Sequence, residues 1–330
     1  MRAPIPQPLP CRKEGGRLAL LLALALAGCQ QGGAQGGENV VRVAYFPNVT
    51  HAAALYGSAS GGFSKALAPV KIEEKVFKAG PEEIEALFAG EVDLGYIGPG
   101  PALNGYLKSG GKALKIVGGA ASGGAALIAR SDVAISSVKD LAGKKVAVPQ
   151  TGGTQDIALR FALKEAGVTD ATVLQFASAD ILREFANKTL DAAWLPEPWV
   201  ARLEAEAGAK IVLDERTLWP GGKFSTAVVI ARTEFLEKHP DLVKKFVEAN
   251  AAAIAEIQKN PDAARKAIGE KLKTLQQGKG VPDAILKRAL ERTEVTSDPL
   301  KGSVLTVADR SKALGYLKED RSALAGLFAL

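Results

Sequence analysis

The sequence predicts an α/β fold of two similar lobes that face one cleft, because one motif occurs twice. Residues 84–101, IEALFAGEVDLGYIGPGP, match residues 182–199, LREFANKTLDAAWLPEPW, at an offset of 98 positions. Asp93 falls on Asp191, and both copies end in a proline-rich corner. Each copy is typical of a helix, a turn and a short buried strand. Ligands of open α/β sheets sit beyond the C-terminal ends of the strands, so the paired corners predict a shared site.

The first part of the chain alternates strands with helices, which predicts a mainly parallel sheet with right-handed crossovers. Apolar or alternating runs indicate the strands, and prolines indicate where helices begin. Helices are expected to begin at Pro81 and Pro99. The predicted strands are residues 40–46, 71–77, 93–97, 114–120 and 125–130.

The same order restarts near residue 144. Its predicted strands are residues 144–149, 172–176, 191–195 and 210–213, with helices at 155–166, at 179–188 and from Pro198. The apolar runs AALIAR, residues 125–130, and STAVVIAR, residues 225–232, resemble each other, and we expect both to be crossover strands between the lobes. From Glu234 onward the pattern is almost all helix, broken at Pro240 and Pro261 and ending in helices at 283–292 and 303–317.

These assignments divide the 330 residues into four parts. The sequence predicts a signal peptide at 1–28, a flexible tether at 29–39, a discontinuous first lobe at 40–131 and 226–330, and a second lobe at 132–225. The two lobes would be joined by a two-segment hinge.

Composition and charge argue against nucleic acid as a partner. Hydrophobic residues make up 47% and charged residues 24%, as in soluble globular proteins. The formal net charge is +6, and the first 28 residues contribute half of it with four basic residues and one acid. The remaining lysines and arginines are scattered, with no basic stripe interleaved with aromatic residues.

The N-terminus has the features of an export signal. Basic residues up to Arg17 precede an apolar run at 18–27, which is too short to span a bilayer as a helix. The run ends in LAGC, which resembles a bacterial lipoprotein signal with cleavage before Cys29 and lipidation of its thiol. The alternative is an ordinary signal peptide with an incidental cysteine. Since Cys11 is the only other cysteine, the mature chain would have no disulfide and no thiol nucleophile.

The common catalytic motifs are missing, so we expect no catalytic residue, no cofactor and no metal. His51 and His239 are the only histidines and do not form an HExxH motif. No glycine–lysine pair is followed by Ser or Thr, which excludes a P-loop, and no G-x-S-x-G elbow occurs.

Two glycine-rich turns are candidates for binding instead. Thr151, Gly152, Gly153 and Thr154 lie between a predicted strand and a helix, where free backbone amides attract negative charge. The corner of Gly98, Pro99 and Gly100 offers the same geometry from the first lobe. Any single turn of this kind is more often only a capped helix start. Two of them at equivalent places in two repeats favour a shared site.

Other candidates lie at the same predicted edge. Asn48, Thr50 and His51 follow the first strand, although His51 could equally be a capping or surface histidine. Trp199 is a candidate wall of the cleft. Glu197 has two alternative roles: it could accept a hydrogen bond from a ligand amine, or face away and cap a helix.

These stretches carry a family resemblance. YFPNVTHA at 45–52, AGEVDLGYIGPGPALNGY at 89–106, GGAASGGAALIAR at 118–130, DLAGKKVAVPQTGGTQD at 140–156 and LDAAWLPEPW at 190–199 resemble the nitrate/sulfonate/taurine class of ABC-transporter substrate-binding proteins. The resemblance implies a bilobed, type II periplasmic-binding-protein-like fold that closes on a small ligand. It implies a site at Asn48, Thr50, His51, Gly98, Pro99, Gly100, Ser122, Gly123, Thr151, Gly152, Gly153, Thr154, Glu197 and Trp199.

The resemblance also implies a ligand and partners. No arginine is among the implied site residues, which puts an aliphatic sulfonate first, then taurine, nitrate or bicarbonate. Glu197 would suit a thiamine-precursor pyrimidine. The partners would be an ABC permease with its ATPase, and the membrane through lipidated Cys29. The protein would be an extracytoplasmic monomer, lipid-anchored to the bacterial cell envelope. The competing classes are an enzyme of pyrimidine-precursor or menaquinone synthesis, with His51 as the only catalytic candidate, and a lipid-anchored sensor.

Overall fold

The computed structural model describes residues 40–329, which form two β-sheets and the helices packed on them. The predicted signal peptide, the tether and the lipidation site Cys29 lie outside the described residues. Within residues 40–329, no helix combines the length and the apolar character needed to cross a membrane. The predicted α/β class is confirmed.

Most strands and helices occur where the hydrophobic pattern places them. The strands are β1 Val40–Tyr45, β2 Lys71–Val76, β3 Leu94–Ile97, β4 Leu114–Gly123, β5 Ala125–Ala129, β6 Lys145–Val148, β7 Thr172–Gln175, β8 Ala192–Pro196, β9 Lys210–Asp214, β10 Ser225–Arg232 and β11 Thr293–Val295. The helices are α1 Ala52–Ala59, α2 Gly62–Leu67, α3 Gly80–Phe88, α4 Pro99–Lys108, α5 Thr154–Ala166, α6 Ser178–Ala186, α7 Trp199–Ala207, α8 Thr233–Lys238, α9 Pro240–Lys259, α10 Pro261–Leu275, α11 Asp283–Glu291 and α12 Lys301–Ala313.

Both sheets are mixed, whereas the sequence suggested mainly parallel ones. The first sheet has the order β11-β4-β10-β3-β1-β2, and the second has the order β7-β6-β8-β5-β9. Strands β1, β2 and β3 pair in parallel, as do β6, β7 and β8. The strands β5 and β10 pair antiparallel with both of their neighbours. The chain enters β5 directly from β4 of the first sheet, and it enters β10 after β9 of the second sheet. Neither connection contains the helical crossover that a parallel neighbour in the same sheet requires.

The chain passes between the sheets twice. The first passage runs from β4 to β5 through Gly123 and Gly124, with φ values of 74° and 69°. A Cβ atom at Gly124 would lie 2.3 Å from Thr293 Oγ1, so this close approach requires glycine. The second passage is the stretch between β9 and β10, which contains two short 3₁₀ turns. The predicted lobe boundaries stay a prediction.

Helices cover both faces of the first sheet. Successive residues of β3 point to opposite faces, so Tyr96 packs with Phe246 of α9, while Ile97 packs with Leu103 of α4. The second sheet is packed in the same way, with Phe185 of α6 on one face and Leu159 of α5 on the other.

The C-terminal helices support elements of both sheets. Along α9 the expected apolar stripe is largely present, since Phe246, Ala253 and Ile257 are buried. Helix α12 packs against α4 and α5, and α11 packs against α7. Strand β11, which pairs with β4, was not predicted, because its three residues are too few to show a period.

Candidate functional site

A pocket, which we call the cleft pocket, lies at the C-terminal ends of strands from both sheets. The corners of both repeats contribute to it, through Gly98 after β3 and Pro196 at the end of β8. The sequence-predicted residues that line the cleft pocket are Asn48, Thr50, His51, Gly98, Gly153 and Thr154. The repeated motif therefore does bring two corners to one place.

His51 is a neutral hydrogen-bond donor in this pocket. Its side chain is buried, with 2% of its surface exposed, and its Nδ1 accepts the backbone N–H of Phe46 at 3.2 Å. Burial lowers the pKa of His51 to about 3. The imidazole is therefore neutral and carries its proton on Nε2. Among residues 40–329, no acceptor bonds Nε2, so this N–H is available to a ligand in the pocket.

Asn48 links the first-strand turn to the second repeat. Its Oδ1 accepts the indole N–H of Trp199 at 3.0 Å, which leaves the side-chain NH₂ group as a donor. The backbone N–H of the next residue, Val49, donates to the carbonyl of Glu197 at 2.9 Å. Trp199 itself is buried in the core of the second sheet, with the Arg202 guanidinium 5.1 Å above its ring. It orients Asn48 and does not line the cleft pocket.

The start of α5 supplies backbone donors. Gly153 precedes the helix in an extended conformation and makes no side-chain cap. Within the described chain, the backbone N–H groups of Thr154 and Gln155 have no acceptor outside the helix. They carry the positive end of the helix dipole and lie at the pocket. Nearby Asp156 is buried, but Arg160 pairs with its carboxylate at 2.7 Å.

The corner before α4 does not supply such donors, contrary to the expectation of equivalent geometry. Pro99 and Pro101 have no backbone N–H, and the N–H of Gly100 donates to Thr154 Oγ1 at 3.3 Å. Pro99 and Gly100 are buried and do not line the cleft pocket. A Cβ atom at Gly98 would lie 2.2 Å from Thr154 Oγ1. The corner therefore packs directly on the start of α5.

Ser122 and Gly123 lie in the first sheet and at the first passage, not at the cleft pocket. Ser122 Oγ accepts the backbone N–H of Phe224 at 3.3 Å, and its side chain is buried. The carbonyl of Gly123 accepts the hydroxyl of Thr226 at 2.7 Å. Thr226, which sequence reasoning missed, lines the pocket in their place.

Thr151 and Gly152 line a separate depression. The N–H of Thr151 donates to Gln175 Oε1 at 3.0 Å, and that of Gly152 donates to Asp156 Oδ2 at 2.9 Å. Both amides are therefore already used within the fold. The glycine-rich turn divides at this point, and only its last two residues reach the cleft pocket.

Glu197 takes the helix-cap role of the two that the sequence left open. It is 1% exposed, its Oε2 accepts the N–H of Ala201 in α7 at 3.0 Å, and its Oε1 lies 3.2 Å from Arg292 Nη1. Burial raises the pKa of Glu197, and the helix N–H and Arg292 offset this only in part. Its side chain does not line the cleft pocket.

Two further residues of the pocket escaped the sequence analysis. Lys78 follows β2 by two residues and brings a cationic group to the cleft pocket. The available signal was that parallel β1 and β2 end at the same edge, so the polar residue after β2 belongs there. Gln150 also lines the pocket, and its buried Oε1 has no hydrogen-bond partner among the described residues. Within residues 40–329, no three His, Cys, Asp or Glu side chains cluster as metal ligands would.

Comparisons with known proteins agree with this fold. A "Putative aliphatic sulfonates-binding protein" of Bacillus subtilis (strain 168) is 26% identical over 313 residues, which cover 92% of this chain and 91% of that protein. A "Putative binding protein" of Brucella abortus (strain 2308) is 31% identical over 177 residues, 53% of this chain and 54% of that protein. The chain thus spans about half the length of that relative.

The architecture matches solved binding proteins. The alkanesulfonate-binding protein SsuA from Xanthomonas axonopodis pv. citri, bound to MOPS, aligns with a TM-score of 0.71 at 22% identity, over 85% of this chain and 95% of that chain. This likeness confirms the expected periplasmic-binding-protein-like fold. The model of the NMT1-like family matches residues 34–270, which is more than half of the sequence. The chain therefore belongs to the NMT1-like family.

Proposed function

We propose that the chain is the extracytoplasmic solute-binding component of an ABC importer. It would hold a small sulfonate-like ligand between two lobes and deliver it to a membrane permease with its ATPase. The Bacillus subtilis relative is named for aliphatic sulfonates, and the Xanthomonas structure is that of an alkanesulfonate-binding protein. Both names support this class of ligand.

One observation carries the proposal: the cleft pocket is rich in donors and is lined by no Asp or Glu side chain. Its donors are His51 Nε2–H, the side-chain NH₂ of Asn48, the amides at the start of α5 and the ammonium group of Lys78. Such a set matches the oxygens of a compact anion. A pyrimidine would need Glu197 as an acceptor, and that carboxylate is engaged by Arg292 and α7.

Closure of two lobes on the ligand is the proposed mechanism. The lobes would be residues 40–131 with 226–330, and residues 132–225. Elements of the two sheets already meet through the bonds of Gly100 with Thr154 and of Asn48 with Trp199. A ligand that adds contacts to both sides would favour the closed form by its differential affinity.

The geometry favours a receptor over an enzyme. An enzyme on this fold would use His51, the only catalytic candidate in the sequence. Burial lowers the pKa of His51 to about 3, and its Nδ1 already accepts a backbone N–H, which makes it a poor general base near neutral pH. We propose further that the protein is an extracytoplasmic monomer without a cofactor, anchored to the bacterial cell envelope by lipidated Cys29.

A thermal-shift screen of the purified protein tests the proposal. The panel contains alkanesulfonates, taurine, nitrate, bicarbonate and hydroxymethylpyrimidine. We expect the alkanesulfonates to raise the melting temperature, since a ligand that binds only the folded state stabilises it. Stabilisation by the pyrimidine alone would refute an anion site, and no shift with any compound would refute a receptor for this group of ligands.

A further inference from the structure

Three neutral side chains of the cleft pocket are chemically able either to donate or to accept hydrogen bonds. Asn48 has an amide with an oxygen and an NH₂ group, His51 has two ring nitrogens of opposite character, and Thr154 has a hydroxyl. All three are buried, with 8%, 2% and 7% of their surfaces exposed. The atom that each side chain turns toward the pocket therefore decides whether the pocket suits an anion.

A group that can only donate lies behind two of these side chains. The indole N–H of Trp199 donates to Asn48 Oδ1 at 3.0 Å, and the backbone N–H of Phe46 donates to His51 Nδ1 at 3.2 Å. An indole or backbone N–H cannot accept a hydrogen bond, so the atom that faces it must be an acceptor. The oxygen of the amide and the unprotonated nitrogen of the imidazole therefore point away from the pocket.

The hydroxyl of Thr154 is supported in the same way. The backbone N–H of Gly100 donates to Thr154 Oγ1 at 3.3 Å, which leaves the hydroxyl proton free to bind a ligand. The groups left for the pocket are thus the NH₂ of Asn48, the Nε2–H of His51 and the O–H of Thr154. Within residues 40–329, none of these three donors has an acceptor. Donor-only groups from behind thus set the polarity of the pocket wall.

Trp199 is the only one of the three supporting residues that donates from its side chain, and it comes from the other sheet. Asn48 follows β1 of the first sheet, whereas Trp199 begins α7 after β8 of the second sheet. The indole is held in place by burial in the core of the second sheet and by the Arg202 guanidinium, 5.1 Å from the ring centre. Without this N–H, the Asn48 amide could make half a turn about its last side-chain bond and present its oxygen to the ligand.

We propose that Trp199 is a positioning residue, whose indole N–H fixes Asn48 as a donor and so tunes this part of the pocket to an anion oxygen that only accepts hydrogen bonds. The proposal rests on the proposed function. A sulfonate is such an anion, because it carries no proton near neutral pH. A phosphonate monoanion has the same shape but carries one P–O–H group, which would meet the Asn48 NH₂ donor to donor.

One substitution removes the N–H and keeps the shape of the ring. Benzothienylalanine, which has sulfur in place of the indole N–H, would replace Trp199 in the purified protein. Calorimetry would compare ethanesulfonate with ethylphosphonate in mildly acidic buffer, where the phosphonate is a monoanion with one P–O–H group. We expect ethanesulfonate to bind about tenfold more weakly, because the Asn48 NH₂ group is no longer held toward it. Ethylphosphonate can donate to the turned amide, so the ratio of the two affinities should fall by about fivefold.

The matched control is the same substitution at Trp194, whose indole N–H donates to Glu215 at 2.8 Å and which does not line the cleft pocket. It should leave both affinities unchanged. A second comparison uses Asn48→Ala. In that background the change at Trp199 should cause no further loss of affinity, because Trp199 acts through Asn48.

Circular dichroism would establish folding, and Trp199→Phe, which also lacks the N–H, covers the case in which the benzothienylalanine variant does not fold. An unchanged affinity ratio in a folded Trp199 variant would overturn the proposal, and so would an equal loss in the Asn48→Ala background. Absence of binding by the wild type to every alkanesulfonate would instead refute the proposed function, so the two failures are distinguishable.

Discussion

A buried acid in helix α3 gives a direct test of the structure. Glu83 lies in the first turn of α3, with none of its surface exposed and with no hydrogen-bond partner for either carboxylate oxygen among residues 40–329. The carboxyl group lies over Gly95, where a Cβ atom would be 2.0 Å from Oε1. Burial raises the pKa of Glu83 well above 4.5.

The sign of the effect follows from linkage. Because the pKa of Glu83 is raised in the folded state, its contribution to stability is full below about pH 4.5 and is lost as pH rises toward the folded value. Over that window the unfolded state releases one proton that the folded state keeps. The free energy of unfolding therefore falls by about 1.4 kcal/mol per pH unit from this group alone. Glu83→Gln removes the titration and should remove this part of the slope.

Urea unfolding at closely spaced pH values from about 5 to about 7 would measure the slope. The matched control is Glu82→Gln, since Glu82 lies in the same turn but is exposed. We expect the control to keep the wild-type slope. Some slope should remain in Glu83→Gln, because burial also raises the pKa of Glu197, and that of Glu215 to about 7. Equal slopes for the wild type and Glu83→Gln would refute the buried position of Glu83.

Three further predictions concern the site and its support. His51→Phe should weaken the binding of a sulfonate by about tenfold, because it removes one hydrogen-bond donor. Calorimetry of the wild type should show no tighter binding at about pH 5 than at about pH 8, because the pKa of His51 lies at about 3. A marked strengthening in acid would contradict a neutral imidazole. Lys78→Gln should weaken sulfonate binding and reduce its salt dependence, whereas Lys108→Gln, in the neighbouring depression, should leave both unchanged. Equal effects of the two lysine variants would refute the placement of Lys78 in the ligand site. Arg292→Met should lower the free energy of unfolding by about 3 kcal/mol in urea titrations, because it leaves a buried carboxylate without its counter-charge. The half-exposed Arg288 serves as control, and a similar loss in Arg288→Met would contradict this reasoning.

The sequence predicted the features that depend on local hydrophobic periodicity and on the repeated motif. Strand and helix periods placed most elements, and the repeat alone placed Gly98 and the second proline-rich corner at one pocket. The direction of β5 and β10 was not predictable in the same way, because it depends on which sheet each strand joins. Hydrophobic pattern records burial but not the identity of the neighbouring strand.

Residue roles within the site were harder to predict, because tertiary partners decide them. In sequence, Gly100 resembles a residue with a free amide at a helix start. In the structure, its N–H donates a hydrogen bond to the hydroxyl of Thr154, 54 positions away. Glu197 resembles a cleft residue until Arg292, 95 positions away, pairs with it. Lys78 carries no motif, and only the parallel pairing of β1 with β2 brings it to the pocket edge.

The surrounding acids strengthen the argument for an anionic ligand. Asp156 lies at the start of α5 and would oppose an anion there, but Arg160 and the hydroxyl of Tyr316 bind its carboxylate. Glu197 is held by α7 and an arginine, and Glu215 accepts the indole N–H groups of two tryptophans. Asp156, Glu197 and Glu215 thus each have hydrogen-bond or ion-pair partners within the fold. The cleft pocket is lined by hydrogen-bond donors and by no Asp or Glu side chain, which gives it a positive character that favours an anionic ligand.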